Sequence, residues 1–494
     1  MKSLLTKTRY ICGLRCPKLL WTMCHAPKTI PEPTQMTQFY LSQGTDIGIL
    51  AQELFPKGRA IPTDNFSANL KDSQTFMSLG IPLFEASFIS DRVYARADIL
   101  EPAEDGTWNL YEVKSSTAVK EEHLNDIAFQ KYVFERAGLK IKSCSLIVIN
   151  NHYVFDGNLD IKQLFRTENV DEKIAALLPE IPHQVASMLD VMDRNICPNT
   201  KLHPLCKGNR YCDMLEVCTG SLPKDNVTSL VFDSDNNGIT LLNKGITAIK
   251  DIPDGFELPE KQQIQRDCII SNKAFIDKEN IRAFLDSLTY PLYALDFETV
   301  QGAVPLYPNS RPYQSVPFQY SLHVKYSADD ELHHFEFLHD GPSDPRPALL
   351  KQLKSDIGTE GTILVYYDEF EKGRLKEAAA DFPENKDWIE AVLARIKDLF
   401  APFKAFHYYH PDQSGSVSLK KVLPALTGVS YQDMEINKGE IAPAAFMKCY
   451  FDDLTTDEER DHIRTELLKY CSLDTEGLFL IIQKLRRLSA KDEG

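Results

Sequence analysis

The sequence predicts an α/β fold in two principal domains. Three observations lead to it. The chain has 494 residues, too many for one ordinary hydrophobic core. Short apolar, β-branched runs alternate with stretches of helical period in both halves. Each half also places acidic residues at the ends of apolar runs, so two separate sites are expected.

Residues 1–220 read as the first domain. Helices are expected over 6–23 and 43–54, then consecutive strands over 82–89, 92–100 and 108–114. A helix over 121–137 and a strand over 143–150 follow, which sets a mostly meandering sheet against helices. Residues 221–283 form a connecting module with Asp- and Gly-rich turns and a helix over 278–288. Within it, Leu242-Asn243-Lys244-Gly245-Ile246 resembles the small helical pairs that grip a nucleic-acid backbone, although an inert linker is the preferred reading. Residues 284–494 alternate again. Strands are expected over 293–299, 318–325, 332–337 and 363–367, and helices over 370–380, 387–399, 419–426 and 457–488.

Composition narrows the class. With 43% hydrophobic and 26% charged residues and no low-complexity tract, the chain is globular. No apolar run can span a bilayer, and Met1-Lys2-Ser3-Leu4-Leu5-Thr6-Lys7 lacks the apolar core of a signal peptide, so no membrane partner and a cytoplasmic location are expected. A formal net charge of −16 argues against a protein that coats nucleic acid indiscriminately. It leaves room for local basic grooves and for carboxylates committed to metal ions. Eleven cysteines in such a chain are read first for metal or cluster binding.

Three segments of the C-terminal half carry chemistry. Leu292-Tyr293-Ala294-Leu295-Asp296-Phe297-Glu298-Thr299 is an apolar strand on which Asp296 and Glu298, two residues apart, face the same side. Acids alternating on an edge strand are the bland alternative. Leu364-Val365-Tyr366-Tyr367-Asp368-Glu369-Phe370-Glu371 runs from a buried strand into a helix start and delivers Glu371 in the first turn, where acids are also simply favoured by the helix dipole. In Tyr470-Cys471-Ser472-Leu473-Asp474-Thr475, Tyr470 and Asp474 are four apart and share one helical face. Phosphodiester hydrolysis by two divalent ions about 4 Å apart needs several such carboxylates to converge. Asp398 is a further candidate ligand, or else a solvated helix acid.

In this order the three segments resemble the motifs of the DnaQ-like DEDD 3′→5′ exonucleases, in the subclass that bears a tyrosine. The resemblance implies a ribonuclease-H-like fold for 284–494. It also implies that Asp296, Glu298, Glu371 and Asp474 hold Mg²⁺ or Mn²⁺ and that Tyr470 orients the attacking water. Glu371 stands where the family usually has Asp, one methylene shorter. Pro317-Phe318-Gln319-Tyr320-Ser321, Tyr409-His410-Pro411-Asp412 and Gly415-Ser416-Val417-Ser418-Leu419-Lys420 resemble a domain of unknown function that occurs fused to RecB-like nucleases, over roughly residues 285–480. Related members commonly have Asn where this chain has Tyr367.

In the N-terminal half, Arg96-Ala97-Asp98-Ile99-Leu100 precedes Leu110-Tyr111-Glu112-Val113-Lys114-Ser115. Asp98, Glu112 and Lys114 can share one face of a sheet, where two acids hold a divalent ion and a lysine steadies the charge that builds on phosphate. This resembles the Asp…Glu-x-Lys pattern of PD-(D/E)XK nucleases, and Gln130 with Tyr132 resembles the helix element of the RecB and CRISPR-associated branch. The resemblance implies a restriction-endonuclease-like fold with Asp98, Glu112, Lys114 and Gln130 in the catalytic site and Asp98 and Glu112 on the metal. The His that such enzymes often carry after a helix Gly is missing from Gly44-Thr45-Asp46-Ile47-Gly48.

Cys16 opens this domain, and Cys206, Cys212 and Cys218 close it as C-x5-C-x5-C. One early cysteine and a late trio resemble the ligand set by which RecB-like nucleases of the CRISPR-associated and AddB type bind a [4Fe-4S] cluster. Four thiolates suit that cluster and equally suit structural zinc. Cys12 and Cys197 are nearby spares, whereas Cys24, Cys144, Cys268, Cys449 and Cys471 are read as small packing groups.

Together the two resemblances imply a metal-dependent nuclease acting on DNA, with RNA left open, in repair, processing or defence. The alternative is a nucleic-acid-binding or redox-regulated protein in which one or both nuclease sites are inactive.

Overall fold

The computed structural model describes residues 3–206, 212, 214–436, 439 and 441–490. The fold is α/β. It comprises two compact units, Met1–Gly220 with Gly302–Gln314, and Ser221–Gln301 with Ser315–Gly494. Among the described residues no helix is long and apolar enough to cross a membrane.

The first unit begins with a short strand β1 (Leu5–Thr6) and helices α1 (Lys7–Arg15) and α2 (Pro17–His25). One helix over 6–23 is thus corrected to two. Pro17 lacks an N–H and bars the helical region to the residue before it, so Cys16 is extended (φ −161°, ψ 121°) and Pro17 opens the second helix. The helix expected from 43 starts at Gln35, where the Thr34 hydroxyl accepts the Thr37 N–H at 3.2 Å.

The sheet of this unit has the order β2 (Arg59–Ala60), β3 (Leu83–Ser90), β4 (Val93–Pro102), β5 (Trp108–Lys114), β6 (Ile141–Ile149), β7 (Phe165–Asn169), with β1 parallel to β4. Strands β3, β4 and β5 form an antiparallel meander, while β5 and β6 run parallel and are joined by helix α3 (Glu121–Arg136). Strand β7 has no counterpart among the expected elements. Its sequence, Phe165-Arg166-Thr167-Glu168-Asn169, is too polar and short to read as a strand and is ordered by antiparallel pairing with β6.

Helix α3 seals one face of the sheet with Ile127, Ala128, Phe129, Val133 and Phe134, all fully buried, and Phe129 stacks on Tyr10 of α1 at 4.4 Å. Burying each phenylalanine contributes roughly 1.5–3 kcal/mol. The opposite face buries Ile47, Ile99, Val113, Ile147 and Ile149 together with Ala303. The segment Gly302–Gln314 belongs to this unit through real bonds. Asn309 N–H donates to the Phe155 carbonyl at 2.7 Å, and the Tyr313 hydroxyl donates to the carbonyl of Ser115.

In the second unit, residues 221–283 are folded. They hold helices Asn237–Asn243 and Glu260–Ser271, strand β8 (Phe275–Ile276) and a core of Val227, Leu230, Leu241, Ile249 and Ile252. Lys244-Gly245-Ile246 closes the first of these helices. Gly245 has φ +85°, and the N–H groups of Gly245 and Ile246 return to the carbonyls of Leu242 and Leu241 at 2.9 and 3.1 Å.

After helix Lys278–Asp286 comes a five-stranded sheet of order β11 (His333–Leu338), β10 (Val316–Lys325), β9 (Leu292–Val300), β12 (Thr362–Val365), β13 (Ile396–Asp398). β10 is antiparallel to both of its neighbours, and β12 is parallel to both β9 and β13. Helix α4 (Asp368–Asp381) follows β12. The helix expected over 387–399 is corrected. It ends at Leu393, and Ile396–Asp398 pairs with Ile363–Val365, because the Arg395 guanidinium turns the chain by donating to the carbonyls of Glu360 and Gly358. A short strand β14 (Tyr408–Tyr409) pairs with β8, and helices α5 (Leu419–Thr427) and Ile441–Phe451 precede the long α6 (Asp457–Ser489). A capping box between Thr456 and Glu459 starts α6. Its buried stripe of Leu467, Cys471, Asp474, Leu478, Ile481 and Leu485, with Tyr470 beside it, recurs every three or four residues and faces the sheet.

Candidate functional site

Strand β9 turns Tyr293, Leu295 and Phe297 into the core and Asp296 and Glu298 to the opposite face. Helix α6 lies across that face and brings Asp474 down onto it. The ligating oxygens of Asp296, Glu298 and Asp474 all lie within 4.8 Å of one another, the only such metal-capable group among the described residues.

The Lys420 charge only partly offsets the three acids. Burial, and then the neighbouring Asp474, pushes the Asp296 carboxyl well above the usual range, and burial with Asp296 does the same to Glu298. Burial lifts Asp474 to about 6, against hydrogen bonds from Tyr431 and Tyr470 and the charge of Lys420. Three converging, desolvated oxygen donors suit a hard divalent cation.

Glu371 is brought to the same region but not into the triad. It lies in the first turn of α4 and is 2% exposed, and its Oε2 is buried with no hydrogen-bond partner. Burial and the charge of Asp296 raise its pKa well above the ordinary value. An orphaned acceptor beside three acids fits a site built around a cation. Asp398 is corrected from a helix acid to the last residue of β13. Its Oδ1 accepts the N–H groups of Tyr367 and Phe400, both at 2.9 Å, so it orders the chain between β12 and α4.

Three neighbours escape sequence reading. Tyr431, buried in the loop after α5, donates from its hydroxyl to Asp474 Oδ1 at 2.6 Å. The Lys420 ammonium lies 4.7 Å from the ring centre of Tyr470 and 5.6 Å from that of Tyr431. Cys471, read as a packing group, directs its thiol at Asp296 Oδ2 from 3.5 Å. The available signals were the place of Cys471 beside Tyr470 and that of Lys420 at the end of the segment 415–420.

In the first unit, the site residues gather where β4, β5 and α3 meet. Glu112 is 1% exposed, and its Oε1 accepts from Lys114 Nζ at 2.7 Å, while Oε2 accepts from Gln130 Nε2 at 2.7 Å. Asp98 Oδ2 accepts the Val113 N–H at 2.7 Å. Two residues join them unannounced. Asp126, one turn before Gln130 on α3, accepts from Lys114 at 2.6 Å and from Gln130 at 3.0 Å. Lys7, the first residue of α1, reaches Glu112 Oε1 at 2.6 Å. Burial and the Glu112 charge push Asp98 up to about 7. Burial also acts to raise Glu112, but Lys114 and Lys7 outweigh it and hold that carboxyl far below its usual range.

Cys16, at the break between α1 and α2, lines one small cavity of about 20 Å³ with Cys206, Cys212 and Cys218. Among the described residues no three of these sulfurs lie within 4.8 Å of one another. Four thiolates at about 2.3 Å from one zinc ion would sit roughly 3.8 Å apart. The four thiols are thus not gathered at zinc-ligand spacing in this structure.

Residues 293–418 match the family model described as "Domain of unknown function (DUF2779)". The uncharacterized protein MG366 of Mycoplasma genitalium is 24% identical over 242 residues, 45% of this chain and 36% of that protein. The MG366 homolog of Mycoplasma pneumoniae, also uncharacterized, is 28% identical over 214 residues, 38% of this chain and 31% of that protein. The match thus spans about a third of the length of these curated relatives. The family match begins at Tyr293 in β9, takes in Asp296, Glu298 and Glu371, and ends before Tyr470 and Asp474.

Proposed function

We propose that this chain is a divalent-metal-dependent nuclease whose principal hydrolytic site is the Asp296, Glu298 and Asp474 group. The observation that carries the reading is the convergence of their ligating oxygens within 4.8 Å on a desolvated face. Asp296, Glu298 and Asp474 would hold Mg²⁺ or Mn²⁺, and Glu371, whose buried Oε2 has no partner and which feels the Asp296 charge, is a candidate to join them. When bound, the ions would supply an activated water and a counter-charge to the leaving oxygen. Tyr470 stays protonated, because burial and then the Asp474 charge raise its phenol far above the ordinary value, and its hydroxyl, bonded to Asp474, would orient the attacking water by accepting from it. The likeness of these motifs to the DEDD exonucleases makes stepwise 3′→5′ removal of nucleotides, from DNA in the first instance, the reaction to test.

The Asp98, Glu112, Lys114 and Gln130 site is read as a second nuclease centre of PD-(D/E)XK type, and Cys16, Cys206, Cys212 and Cys218 as ligands of a [4Fe-4S] cluster that ties the ends of that domain. One observation favours a second reading for this centre, in which it binds nucleic acid without cutting. Its carboxylates already carry two lysine ammonium groups and do not form a metal-capable triad. Purified protein with Mn²⁺ should degrade 5′-labelled single-stranded DNA to a ladder. The double variant Asp296→Ala/Glu298→Ala should abolish one activity, and Lys114→Ala the other. No cleavage of any single- or double-stranded DNA or RNA would end the enzyme reading.

A further inference from the structure

We infer that Lys7 is a second lysine of the N-terminal centre, a built-in cation that occupies the divalent-ion position and must be displaced when metal enters. The inference rests on the reading of Asp98 and Glu112 as metal ligands. Nothing in the Asp…Glu-x-Lys pattern calls for Lys7, which lies more than ninety positions before either acid. The fold delivers it. Strand β1 pairs in parallel with β4, Thr6 caps α1 by accepting the Arg9 N–H, and the first helical residue is thereby set against the face of the sheet that carries the acids.

Its ammonium lies 2.6 Å from Glu112 Oε1 and 3.9 Å from both Asp98 Oδ1 and Asp126 Oδ2. That is contact with three carboxylates, two of them the expected metal ligands. Lys114 bridges Glu112 and Asp126 but is the lysine the chemistry requires. Three carboxylates therefore face two ammonium groups, and an excess of negative charge remains. A second observation points the same way. Gln130 is fully buried, with its amide nitrogen bonded to Glu112 and Asp126, yet its Oε1 has no hydrogen-bond partner. A buried acceptor left unsatisfied in a group this well connected marks room for a water or ion that the present side chains do not replace.

A divalent ion held between Asp98 and Glu112 would fall where the Lys7 ammonium now touches both acids, and two like charges in one buried place repel strongly, whereas Lys114 pairs with Glu112 and Asp126. Metal entry must swing Lys7 away. Its flexible four-carbon stem permits this without moving α1, and the freed ammonium remains beside the anionic substrate. Lys7 thus acts as a positioning residue. It keeps the acids gathered in the metal-free protein and sets the metal concentration at which the centre loads.

The test uses the full chain carrying Asp296→Asn, Glu298→Gln and Asp474→Asn, which silences the other acidic group, and reads Mn²⁺ affinity by electron paramagnetic resonance. Binding lost on further Glu112→Gln, in protein that circular dichroism shows to be folded, defines the N-terminal centre. Adding Lys7→Met should tighten that binding by about tenfold or more, from the lower end of what groups behind a metal's ligands usually contribute upwards. Lys7→Gln, which keeps a donor to Glu112 and removes the charge, should do the same if Lys7→Met does not fold. Glu112-dependent binding that is unchanged or weakened in the folded Lys7 variant overturns the role given to Lys7 while leaving the centre intact. Absence of any Glu112-dependent Mn²⁺ overturns the reading of the centre, and this inference with it.

Discussion

The hydroxyl of Tyr431 donates to Asp474 Oδ1 at 2.6 Å, so an aromatic residue from the loop after α5 fixes the one carboxylate that reaches the candidate metal centre from helix α6. Asp296 and Glu298 are held by their strand. Asp474 comes from a different element, and its rotamer is set by Tyr431 and, one turn earlier on its own helix, by Tyr470.

Replacing Tyr431 by Phe keeps the ring and removes that bond. Groups behind metal ligands typically contribute 10–100-fold to metal affinity or activity. Tyr431→Phe should therefore lower Mn²⁺-dependent cleavage about tenfold while costing only about 1 kcal/mol of stability, the net worth of one buried hydrogen bond. Cleavage assays alongside denaturant unfolding separate the two. Wild-type cleavage by a folded Tyr431→Phe protein would show that the contact does not position Asp474.

The acids of this centre should make the metal-free protein less stable as pH rises. Asp474 has a folded pKa of about 6, above its ordinary value of 3.8, so the native state binds protons more readily than the unfolded state in between. Its contribution is most favourable below pH 3.8 and is lost through about pH 6. The size is on the order of 3 kcal/mol from a shift of this kind. Asp474→Asn should then melt higher than wild type above pH 6 without metal and converge with it in acid, and added Mg²⁺ should stabilise wild type far more at pH 8 than at pH 5. Equal melting temperatures for the two proteins at pH 8 would contradict this.

How far the sequence discloses these sites depends on the range of the interactions. Asp296 and Glu298 are legible because strand period alone fixes their common face, and Tyr470 with Asp474 because helix period does. Asp398 is not, since whether Ile396–Asp398 is a helix end or a fifth strand depends on pairing with β12, some thirty residues away. Lys7 and Tyr431 are invisible for the same reason. Each reaches its partner only through the tertiary fold, and neither sits in a motif. The break at Cys16, by contrast, is local, and Pro17 marks it.

The cysteine group should declare its metal on isolation. Protein purified without oxygen is expected to carry about four irons per chain and broad visible absorbance, and Cys16→Ser or Cys212→Ser to lose both. The four cysteines line one cavity. Elemental analysis finding one zinc and no iron would reverse the assignment.

Glu112 offers a test in which stability and chemistry part company. Its carboxylate is 1% exposed and takes bonds from Lys7, Lys114 and Gln130, so Glu112→Gln leaves two ammonium groups facing each other with only Asp98 and Asp126 to balance them. Removing one member of a buried charge pair typically costs 3–5 kcal/mol. The loss should appear above the low folded pKa of Glu112 and shrink in acid, because a depressed carboxyl contributes stability above its unfolded pKa and loses it as pH falls towards the folded one. Activity assigned to Asp296 and Glu298 should persist in whatever fraction stays folded. Unfolding curves of Glu112→Gln and wild type at pH 7 and pH 3 give the difference directly, and an equal gap at both would mean that the Glu112 charge is not what holds this part of the fold.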